Sequence, residues 1–463
     1  MSTSDRSGNP VAVVLAAGKG TRMRSRRPKV LHEVAGKPIL AWVIEAARAS
    51  GCEQCLVVVG HGTGDLKRAF ADEDIVWVEQ REQLGTGHAL AQVRELVGDA
   101  HHLLVLSGDV PAVRAKTLER LLSSAATGWG AIATARMERP GSLGRVVMKA
   151  DGVLERIVEA ADATEQEMAI RTVNAGLYVL PAAEIFDYLA ALQPDNAKGE
   201  LYLTDALGAA AREREIKCVA VSEADEALGV NDRADLARAH RVLMGRGIEA
   251  LMEQGVTIYD SRRVVIEPSV RIGPDSEIHP EVTLTGDTQI GRECVVHSGA
   301  WIRHSSIGDG STIGPHSVLD GAVVGDGATI GPFARLRPGT EIGRAVRVGN
   351  FVEIKNARLG DGVKAGHLSY LGDAEIGDGA NIGAGTVTCN YDGRKKHKTT
   401  IGKRAFIGSD TMLVAPVEVG DDAVTGAGSV ITNDIPGGAL AVGRVRQRTI
   451  EDWVKRRKRK DEE

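Results

Sequence analysis

The sequence predicts two folded parts of different class: an α/β domain with a mostly parallel sheet, and after it a parallel β-helix of hexapeptide repeats. Two observations support this prediction. Apolar segments of strand and helix length alternate in the first half of the chain, and from Ile266 onward an aliphatic residue recurs every six residues. With 463 residues, the chain has room for two or three domains.

The α/β prediction depends on apolar runs of strand length that alternate with segments of helical periodicity. These segments are residues 11–15, 39–49, 55–59, 103–106, 117–122 and 131–135. We assign residues 11–233 to this domain and the polar residues 1–10 to a disordered N-terminus. Residues 234–255 have apolar positions at helical spacing, which predicts a connecting helix.

The six-residue period predicts short parallel strands stacked in coils of three. One such strand has nothing to bury against, but stacked copies form a continuous apolar column. Glycine often follows the aliphatic residue, and Gly-Asp-Gly sequences suit tight corners where φ is positive. The pattern resembles hexapeptide-repeat proteins, which implies a left-handed β-helix and a homotrimer. We assign residues 256–448 to it and 449–463 to a charged, disordered tail, with a nucleic-acid patch as the alternative for the tail.

Composition excludes several classes of protein. The net charge of −5 gives no overall nucleic-acid signature. No apolar run reaches the roughly 18 residues of a membrane span, and the N-terminus has no secretory signal, so we predict a cytoplasmic protein without an integral membrane segment. Cys52 and Cys55 form a C-x-x-C without a second pair, and we interpret them as small buried residues rather than metal ligands.

A loop of small and basic residues follows the first predicted strand. It reads Leu15-Ala16-Ala17-Gly18-Lys19-Gly20-Thr21-Arg22-Met23, with Pro28-Lys29 soon after. Small residues let a phosphate chain approach the backbone, whose N–H groups bind anions. The loop is neither a P-loop nor the dinucleotide fingerprint. The residues alone leave a nucleotide site and a simple turn both open.

The whole string closely resembles the signature of sugar-1-phosphate nucleotidyltransferases, and this implies a Rossmann-like domain that transfers uridylyl groups. The loop residues Leu15, Ala16, Ala17 and Gly18 would hold UTP, and Arg22 and Lys29 would act on its phosphates. Three further segments match: Gln80 with Gly85 and Thr86, which would read uracil; Ser107-Gly108-Asp109; and Asn231. By the resemblance, Asp109 and Asn231 bind Mg²⁺, and Gly144, Glu159 and Asn174 bind the sugar.

Two positions depart from the family pattern, and one assignment has a structural alternative. Leu143 and Ser107 stand where the family often has tyrosine, which makes the sugar contacts less certain than the phosphate loop. Asp109 lies at the carboxyl end of a strand, where open α/β sheets place ligands. The alternative for Asp109 is a helix N-cap.

The hexapeptide pattern is interrupted between Ile354 and Ile401, and charged and aromatic residues occur there that a scaffold does not need. His367 is a candidate base, because histidine accepts a proton near neutral pH. Arg337 and Lys355 could bind a phosphate. An excursion of about a dozen residues, including the basic run 395–398, precedes Ile401; this run would meet coenzyme A phosphates or be a solvated loop.

These segments, in order with the first site, resemble the bifunctional N-acetylglucosamine-1-phosphate uridyltransferase/glucosamine-1-phosphate N-acetyltransferase family. The resemblance implies that acetyl-CoA acetylates glucosamine-1-phosphate and that UTP then converts the product to UDP-N-acetylglucosamine for cell-envelope synthesis. His367 would be the acetyl-transfer base. Arg337, Lys355, Tyr370 and Asn381 would bind the sugar phosphate. The acetyl-CoA residues would be Ala384, Asn390, Tyr391, Ser409, Ala427 and Arg444.

Two other functions are compatible with this architecture. One is a single-activity pyrophosphorylase whose β-helix only assembles subunits. The other is a non-catalytic regulatory subunit, which would be expected to lack Lys29 and Asp109. His367, the Asn390-Tyr391 pair and the excursion favour the bifunctional enzyme over the first, and the presence of Lys29 and Asp109 argues against the second.

Overall fold

The structure is a computed structural model that describes residues 9–18, 20–60 and 63–461. Most of the N-terminus predicted to be disordered, and the predicted loop cation Lys19, lie outside these residues. The chain divides into two compact units, Met1–Met244 and Gly245–Glu463. None of the helices described is both long and apolar enough to cross a bilayer.

Unit one is built on a mixed, mostly parallel sheet, as predicted. Val11–Leu15 pairs in parallel with Cys55–Val59 and His102–Ser107, whereas Thr172–Pro181 runs antiparallel to its neighbours. A small hairpin of Glu33–Val34 and Lys37–Pro38 lies apart. The main sheet has the spatial order Ile216–Ala220, Gly130–Arg136, Thr172–Pro181, His102–Ser107, Val11–Leu15, Cys55–Val59 and Val76–Glu79, with Arg145–Met148 and Leu154–Val158 attached to Thr172–Pro181.

Helices cover both faces of this sheet, because its strands are apolar on both sides. Along the first strand, Ala12 and Val14 belong to one buried cluster, and Val11 and Val13 belong to the other. The α-helices of the unit are Ile39–Ala49, Thr63–Ala69, Thr86–Ala91, Ala115–Ala125, Glu165–Met168, Ile185–Ala190 and Leu203–Ala210, and short 3₁₀ turns occur at Thr21–Met23, Lys29–Leu31, Arg94–Leu96 and Ala224–Ala227. The predicted segments 11–15, 39–49 and 55–59 coincide with observed elements.

Unit two is a left-handed parallel β-helix with three sheets, and each coil adds one strand to each sheet. Repeat residues stack in register: Ile266 pairs with Leu284, which pairs with Ile302. The first sheet comprises Thr257–Ile258, Glu277–Ile278, Val295–Val296, Thr312–Ile313, Thr329–Ile330, Arg347–Asn350, Lys364–His367, Asn381–Ile382, Phe406–Ile407, Val424–Thr425 and Leu440–Ala441.

The other two sheets complete the triangular cross-section. The second comprises Val265–Ile266, Thr283–Thr285, Trp301–Arg303, Val318–Asp320, Arg335–Leu336, Glu353–Lys355, Tyr370–Gly372, Val387–Cys389, Met412–Val414 and Val430–Ile431. The third comprises Arg271–Ile272, Gln289–Ile290, Ser306–Ile307, Ala322–Val324, Thr340–Ile342, Arg358–Leu359, Ala374–Ile376, Thr399–Ile401 and Val417–Val419.

The predicted interruption of the repeat is smaller than the sequence suggested. The buried column continues from Ile354 through Leu359, Ala365, Leu371, Ile376 and Ile382. Ala365 and the buried Thr388 hide the period because they occupy core positions without a large aliphatic side chain. The only added segment in this part of the β-helix lies between Val387–Cys389 and Thr399–Ile401.

The connecting helix and the tail differ in outcome. Arg233–Glu253 is a helix, as predicted. The prediction of a disordered tail is wrong for Trp453–Asp461, which forms a helix whose residues 453–458 are exposed. Lysine and arginine are good helix formers, and Lys455 pairs with Asp452 at 2.9 Å beside the first turn, which favours helix over coil.

Candidate active sites

A cavity of about 450 Å³ opens at the carboxyl ends of the central strands of unit one. Leu15 and Ser107 end adjacent strands there, and the loop that follows Leu15 forms one wall. Predicted residues that line it are Leu15, Ala16, Ala17, Gly18, Lys29, Gln80, Gly85, Thr86, Ser107 and Asp109. A single concave site therefore gathers the predicted phosphate loop, base loop and metal carboxylate.

Two contacts join the predicted phosphate residues to the predicted metal ligands, and of these four residues Lys29 and Asp109 line the cavity, whereas Arg22 and Asn231 do not. Lys29 Nζ lies 2.5 Å from Asp109 Oδ2, and Arg22 donates to Asn231 Oδ1 at 2.9 Å. Gly229 links the pairs: a Cβ built there would lie 3.7 Å from the Asn231 amide nitrogen and 3.9 Å from Asp109 Oδ1. Because Asp109 precedes a turn and the next α-helix starts at Ala115, the N-cap alternative is wrong.

The donor set of Asp109 and Asn231 fits a hard divalent cation. A carboxylate and an amide oxygen are ligands that Mg²⁺ accepts, the remaining positions being filled by phosphates and water. The cationic side chains of Lys29 and Arg22 contact these two groups. Lys29 pairs with Asp109 and Arg22 donates to Asn231, so cationic groups for a triphosphate and oxygen ligands for its cation lie in one place.

The predicted base loop is hydrogen-bonded to a second segment of the domain, at Leu201. Gln80 is almost completely buried and its amide donates to Gly85 O at 3.1 Å. Gly85 has φ of 112°, and a Cβ there would lie 2.5 Å from Leu201 O. Thr86 Oγ1 accepts from the backbone N–H of Leu203 at 3.0 Å. The loop thus has one tightly determined path.

The three predicted sugar residues lie together. The backbone N–H of Asn174 donates to Gly144 O at 2.9 Å, and Glu159 Oε1 is 3.5 Å from a Cβ built on Gly144. Burial raises the pKa of the Glu159 carboxyl, an effect that the hydrogen bond from Thr204 partly offsets. Asn174 donates to the buried hydroxyl of Tyr178 at 2.7 Å.

The second candidate site is on the β-helix around His367. This exposed residue ends Lys364–His367, and its Nδ1 lies 2.7 Å from Asn350 Oδ1 on the coil below. Ser369 Oγ donates to the backbone carbonyl of His367 at 2.8 Å. The ring is thereby held through Nδ1, and Nε2 is the nitrogen that can accept a proton.

Three cations converge beside this histidine's sheet. Lys396, from the added segment, lies next to Lys355, and together with Arg337 it lowers the pKa of the Lys355 ammonium, because like charges disfavour the protonated form. Arg337 also pairs with Glu353 at 2.8 Å. Arg337 and Lys355, which the sequence suggested for phosphate binding, therefore lie close together, and a phosphate group would relieve this crowding of positive charge.

The added segment is a mostly exposed loop that is closed by its own hydrogen bonds. Asp392 accepts from the backbone N–H groups of Arg394 and Lys395 at 2.7 and 2.8 Å and pairs with His397 Nε2 at 2.7 Å. These bonds, that of Lys395 first, hold the pKa of Asp392 at about 2. Tyr391 bridges to Lys396 across the loop. These bonds hold the loop so that Lys396 lies next to Lys355, one of the residues predicted to bind the sugar phosphate.

Tyr370 and Asn390 meet at the base of this loop. Asn390 is buried and donates to Asp373, and its amide nitrogen lies 3.5 Å from the Tyr370 hydroxyl. Asn381 lies one coil above Lys364, in register with it. Three of the predicted sugar-phosphate and acetyl-CoA residues, Tyr370, Asn381 and Asn390, thus occupy adjoining coils.

The other predicted acetyl-CoA residues form one edge of the last coils. The backbone carbonyl of Ala384 accepts from Asp410, and that of Ser409 accepts from Gly428, each at 2.7 Å. A Cβ on Gly408 would lie 2.7 Å from Ala427 N, and one on Gly428 would lie 3.9 Å from Arg444 Cδ. Ala384, Ser409, Ala427 and Arg444 thus follow the same corner of successive coils, which suits an extended cofactor.

Comparison with known proteins decides the family. The MobA-like NTP transferase domain matches residues 12–210, the GMPPB C-terminal domain matches 261–340, and the bacterial transferase hexapeptide (six repeats) matches 398–433. "Bifunctional protein GlmU" of Pelobacter propionicus is 46% identical, with 98% of this chain and 99% of that protein covered. The chain belongs to the GlmU family. The protein of that name from an Anaeromyxobacter species is 49% identical over 96% of this chain and 93% of its own length.

Membership of the GlmU family confirms the predicted enzyme class. The chain is a bifunctional transferase, with a uridylyltransferase unit and an acetyltransferase unit, that acts in UDP-N-acetylglucosamine synthesis. The alternatives of a single-activity enzyme with a passive β-helix and of a regulatory subunit are therefore wrong.

Several residues of these GlmU sites were missed in the sequence. Gln83 and Glu200 line the nucleotide cavity, and Gln83 donates to Ala17 O at 2.6 Å. Gln83 stood within the matched base-loop string, so its side-chain chemistry was a usable signal. Glu200 comes from a segment more than a hundred residues away, and no local pattern joins it to the loop.

A second cavity, of about 530 Å³, adjoins the phosphate loop and is strongly basic. Arg26, Arg27, Lys29 and Arg81 line it, with Asp65 as an acidic counterpart. The loop residues Ala16, Ala17 and Gly18 border both cavities. The positive charge around the loop therefore extends beyond the three cations that the sequence singled out, Lys19, Arg22 and Lys29.

Proposed function

We propose that the two GlmU activities of this chain reside in the two sites described, with the residue roles that the sequence predicted. The cavity of unit one binds UTP, Mg²⁺ and N-acetylglucosamine-1-phosphate, and the β-helix binds glucosamine-1-phosphate and acetyl-CoA. The observation that carries the proposal is the convergence, within one cavity, of Lys29, Asp109 and the base loop. UDP-N-acetylglucosamine made in this way supplies cell-envelope synthesis.

Uridylyl transfer needs positioning and charge neutralisation rather than a covalent enzyme intermediate. The phosphate oxygen of the sugar attacks the α-phosphorus of UTP, and pyrophosphate leaves. Lys29 and Arg22 exchange their partners Asp109 and Asn231 for phosphate oxygens and stabilise the charge that develops. Asp109 and Asn231 hold Mg²⁺, which neutralises the polyphosphate when bound.

Acetyl transfer uses the imidazole of His367 as a base. The amine nitrogen of glucosamine-1-phosphate attacks the thioester carbonyl of acetyl-CoA, His367 Nε2 takes the amine proton, and the thiolate of coenzyme A leaves. Arg337, Lys355 and Lys396 hold the sugar phosphate, because their three positive charges lie close together. Tyr370 and Asn381 hold the sugar.

The assembly that we propose is a homotrimer of β-helices. An apolar stripe of stacked rings and aliphatic side chains follows one corner: His316 stacks on Phe333 and Phe333 on Phe351, with ring centroids 5.2 and 5.5 Å apart. Phe351 and Leu368 are 57% and 61% exposed. Because large apolar side chains in a row favour burial against another surface, the stripe supports side-by-side association.

We propose the cytoplasm as the compartment and 11–233, 234–255 and 256–448 as the functional boundaries. Cys52 and Cys55 are buried free thiols, as predicted, and burial raises their pKa to about 11 and about 12. Such unreactive reduced thiols suit a reducing compartment, and UTP and acetyl-CoA are cytoplasmic metabolites.

Two variants test the division of labour. Asp109→Ala is expected to lower uridylyl transfer about 100-fold or more while acetyl transfer is unchanged, and His367→Ala is expected to do the reverse. Both activities are measured on the same preparation, as pyrophosphate release and as free coenzyme A thiol. Loss of both activities in either folded variant, or uridylyl transfer at the wild-type rate by Asp109→Ala, would contradict the assignment.

A further inference from the structure

The histidine of the acetyl-transfer site has a neutral partner, whereas two other histidines of the β-helix have charged partners. His304 Nδ1 lies 2.7 Å from Asp287 and His397 Nε2 lies 2.7 Å from Asp392. His367 Nδ1 lies 2.7 Å from the amide oxygen of Asn350. No carboxylate among the described residues pairs with His367.

The His304–Asp287 pair has the same geometry as the His367–Asn350 pair. In each case the histidine bonds through Nδ1 to an Asp or Asn side chain one coil below. Asn350 also fixes the backbone at this point, because its carbonyl accepts from Leu368 N–H at 3.0 Å. The pair at His304 belongs to regular coils outside the two sites, so the chain contains its own charged version of the arrangement.

We propose that Asn350 is a positioning residue for acetyl transfer: it holds His367 in the tautomer with Nδ1–H. The proposal rests on the role of His367 as the base. An amide oxygen accepts the Nδ1 proton, so the Nε2 lone pair is left free for the substrate amine.

The neutrality of the partner matters because the base must be unprotonated before it acts. A carboxylate at this distance would favour the imidazolium, which cannot accept a proton. The charged groups on the strand of His367 and on the strand below are Lys364 and Arg347, and the strand above, Asn381–Ile382, carries none. None of these groups is a carboxylate, so the amide of Asn350 is the partner that holds the ring.

The test compares pH profiles of kcat/KM for acetyl transfer. Asn350→Asp keeps the hydrogen bond and adds a charge, so the acidic limb is expected to move up by about one pH unit or more. Asn350→Ala is expected to lower kcat about 10- to 100-fold with little change in KM for glucosamine-1-phosphate. Asp287→Asn, the matched change at His304, is expected to leave both the rate and the profile unchanged.

A structural readout separates positioning from folding. ¹⁵N NMR of His367 is expected to show protonated Nδ1 in the wild type and a mixture of tautomers in Asn350→Ala, and uridylyl transfer on the same samples reports an intact unit one. An unmoved acidic limb in Asn350→Asp, or a wild-type rate in Asn350→Ala, overturns the proposal. If His367→Ala itself retains acetyl transfer, the proposed base is wrong and this inference fails with it; if only the Asn350 variants behave as wild type, the base stands.

Discussion

Replacing Gly85 by alanine tests whether the base loop has the single path that the structure shows. Gly85 has φ of 112°, and an added Cβ would lie 2.5 Å from Leu201 O and 2.9 Å from Leu201 N. These two atoms are the ones that tie the loop down, because Leu201 N donates to Leu84 O at 2.7 Å and Leu201 O accepts from Gly87 N–H at 2.8 Å. The methyl group cannot be accommodated unless both hydrogen bonds open.

The cost has two parts that a matched variant separates. A non-glycine residue at such a φ costs about 1–3 kcal/mol. Opening two backbone hydrogen bonds adds about 1–3 kcal/mol in total at roughly 0.5–1.5 each. Gly51 has φ of 99° and no atom within 4 Å of its built Cβ, so Gly51→Ala carries only the first part. The difference between the two variants is the steric part.

Thermal unfolding of unit one and the KM for UTP are the measurements. Gly85→Ala is expected to unfold several degrees below Gly51→Ala. It is also expected to raise the KM for UTP, since Gly85 O is the acceptor for Gln80. Acetyl transfer is the internal control and should not change. Equal midpoints for the two variants, together with a wild-type KM for Gly85→Ala, would refute the proposed path of the loop.

Three further changes probe the other parts of the sites. Glu159→Gln is expected to stabilise unit one at neutral pH. Burial raises the pKa of the Glu159 carboxyl, so its protonated form contributes stability below the pKa of the unfolded state, and that contribution is lost as the pH rises through the folded-state pKa. The KM for N-acetylglucosamine-1-phosphate should rise, and an unchanged unfolding midpoint at pH 7 would contradict this account. Asp392→Ala is expected to release the added loop and to raise the KM for both acetyl-transfer substrates. In the wild type the loop should persist down to about pH 3, because the pKa of Asp392 is about 2 and its hydrogen bonds are lost only on further acidification. Leu284→Ala, in a regular coil, is expected to cost about 2–5 kcal/mol in unfolding free energy without changing the rates of the folded enzyme, as measured by denaturation and both assays.

The fold was predictable where the sequence is periodic. Val11–Leu15 and Ile39–Ala49 were placed to the residue because apolar spacing there has one interpretation. The continuous column from Ile354 to Ile382 was not, since Ala365 satisfies the packing of a coil without the bulk that marks the period. The helical C-terminus was missed because a charged run without apolar spacing gives no periodic signal.

The candidate sites were predictable to the extent that their residues are close in sequence. Leu15 and Gly18 belong to one continuous segment, and a short sequence motif is enough to identify such a segment. The contact of Gly85 with Leu201 joins segments more than a hundred residues apart, and only the fold reveals it. Similarly, Asn350 was part of a segment that attracted notice, but its bond to His367 depends on coil length, which the sequence does not state directly.

The β-helix explains why chemistry gathers at its corners. Inward positions are filled by the apolar column, so residues that differ from coil to coil must lie at the turns. At the turns next to Asn350 and His367, Phe351 and Leu368 have φ of 57° and 50°, a conformation that costs a non-glycine residue about 1–2 kcal/mol. Both side chains are more than half exposed, so their burial within this chain does not repay that cost. Hydrogen bonds within the chain hold both corners, because Phe351 N–H donates to Phe333 O at 3.2 Å and Leu368 N–H donates to Asn350 O at 3.0 Å. The coil geometry thus imposes this conformation and presents the two side chains beside the base, where the proposed association of β-helices would cover them.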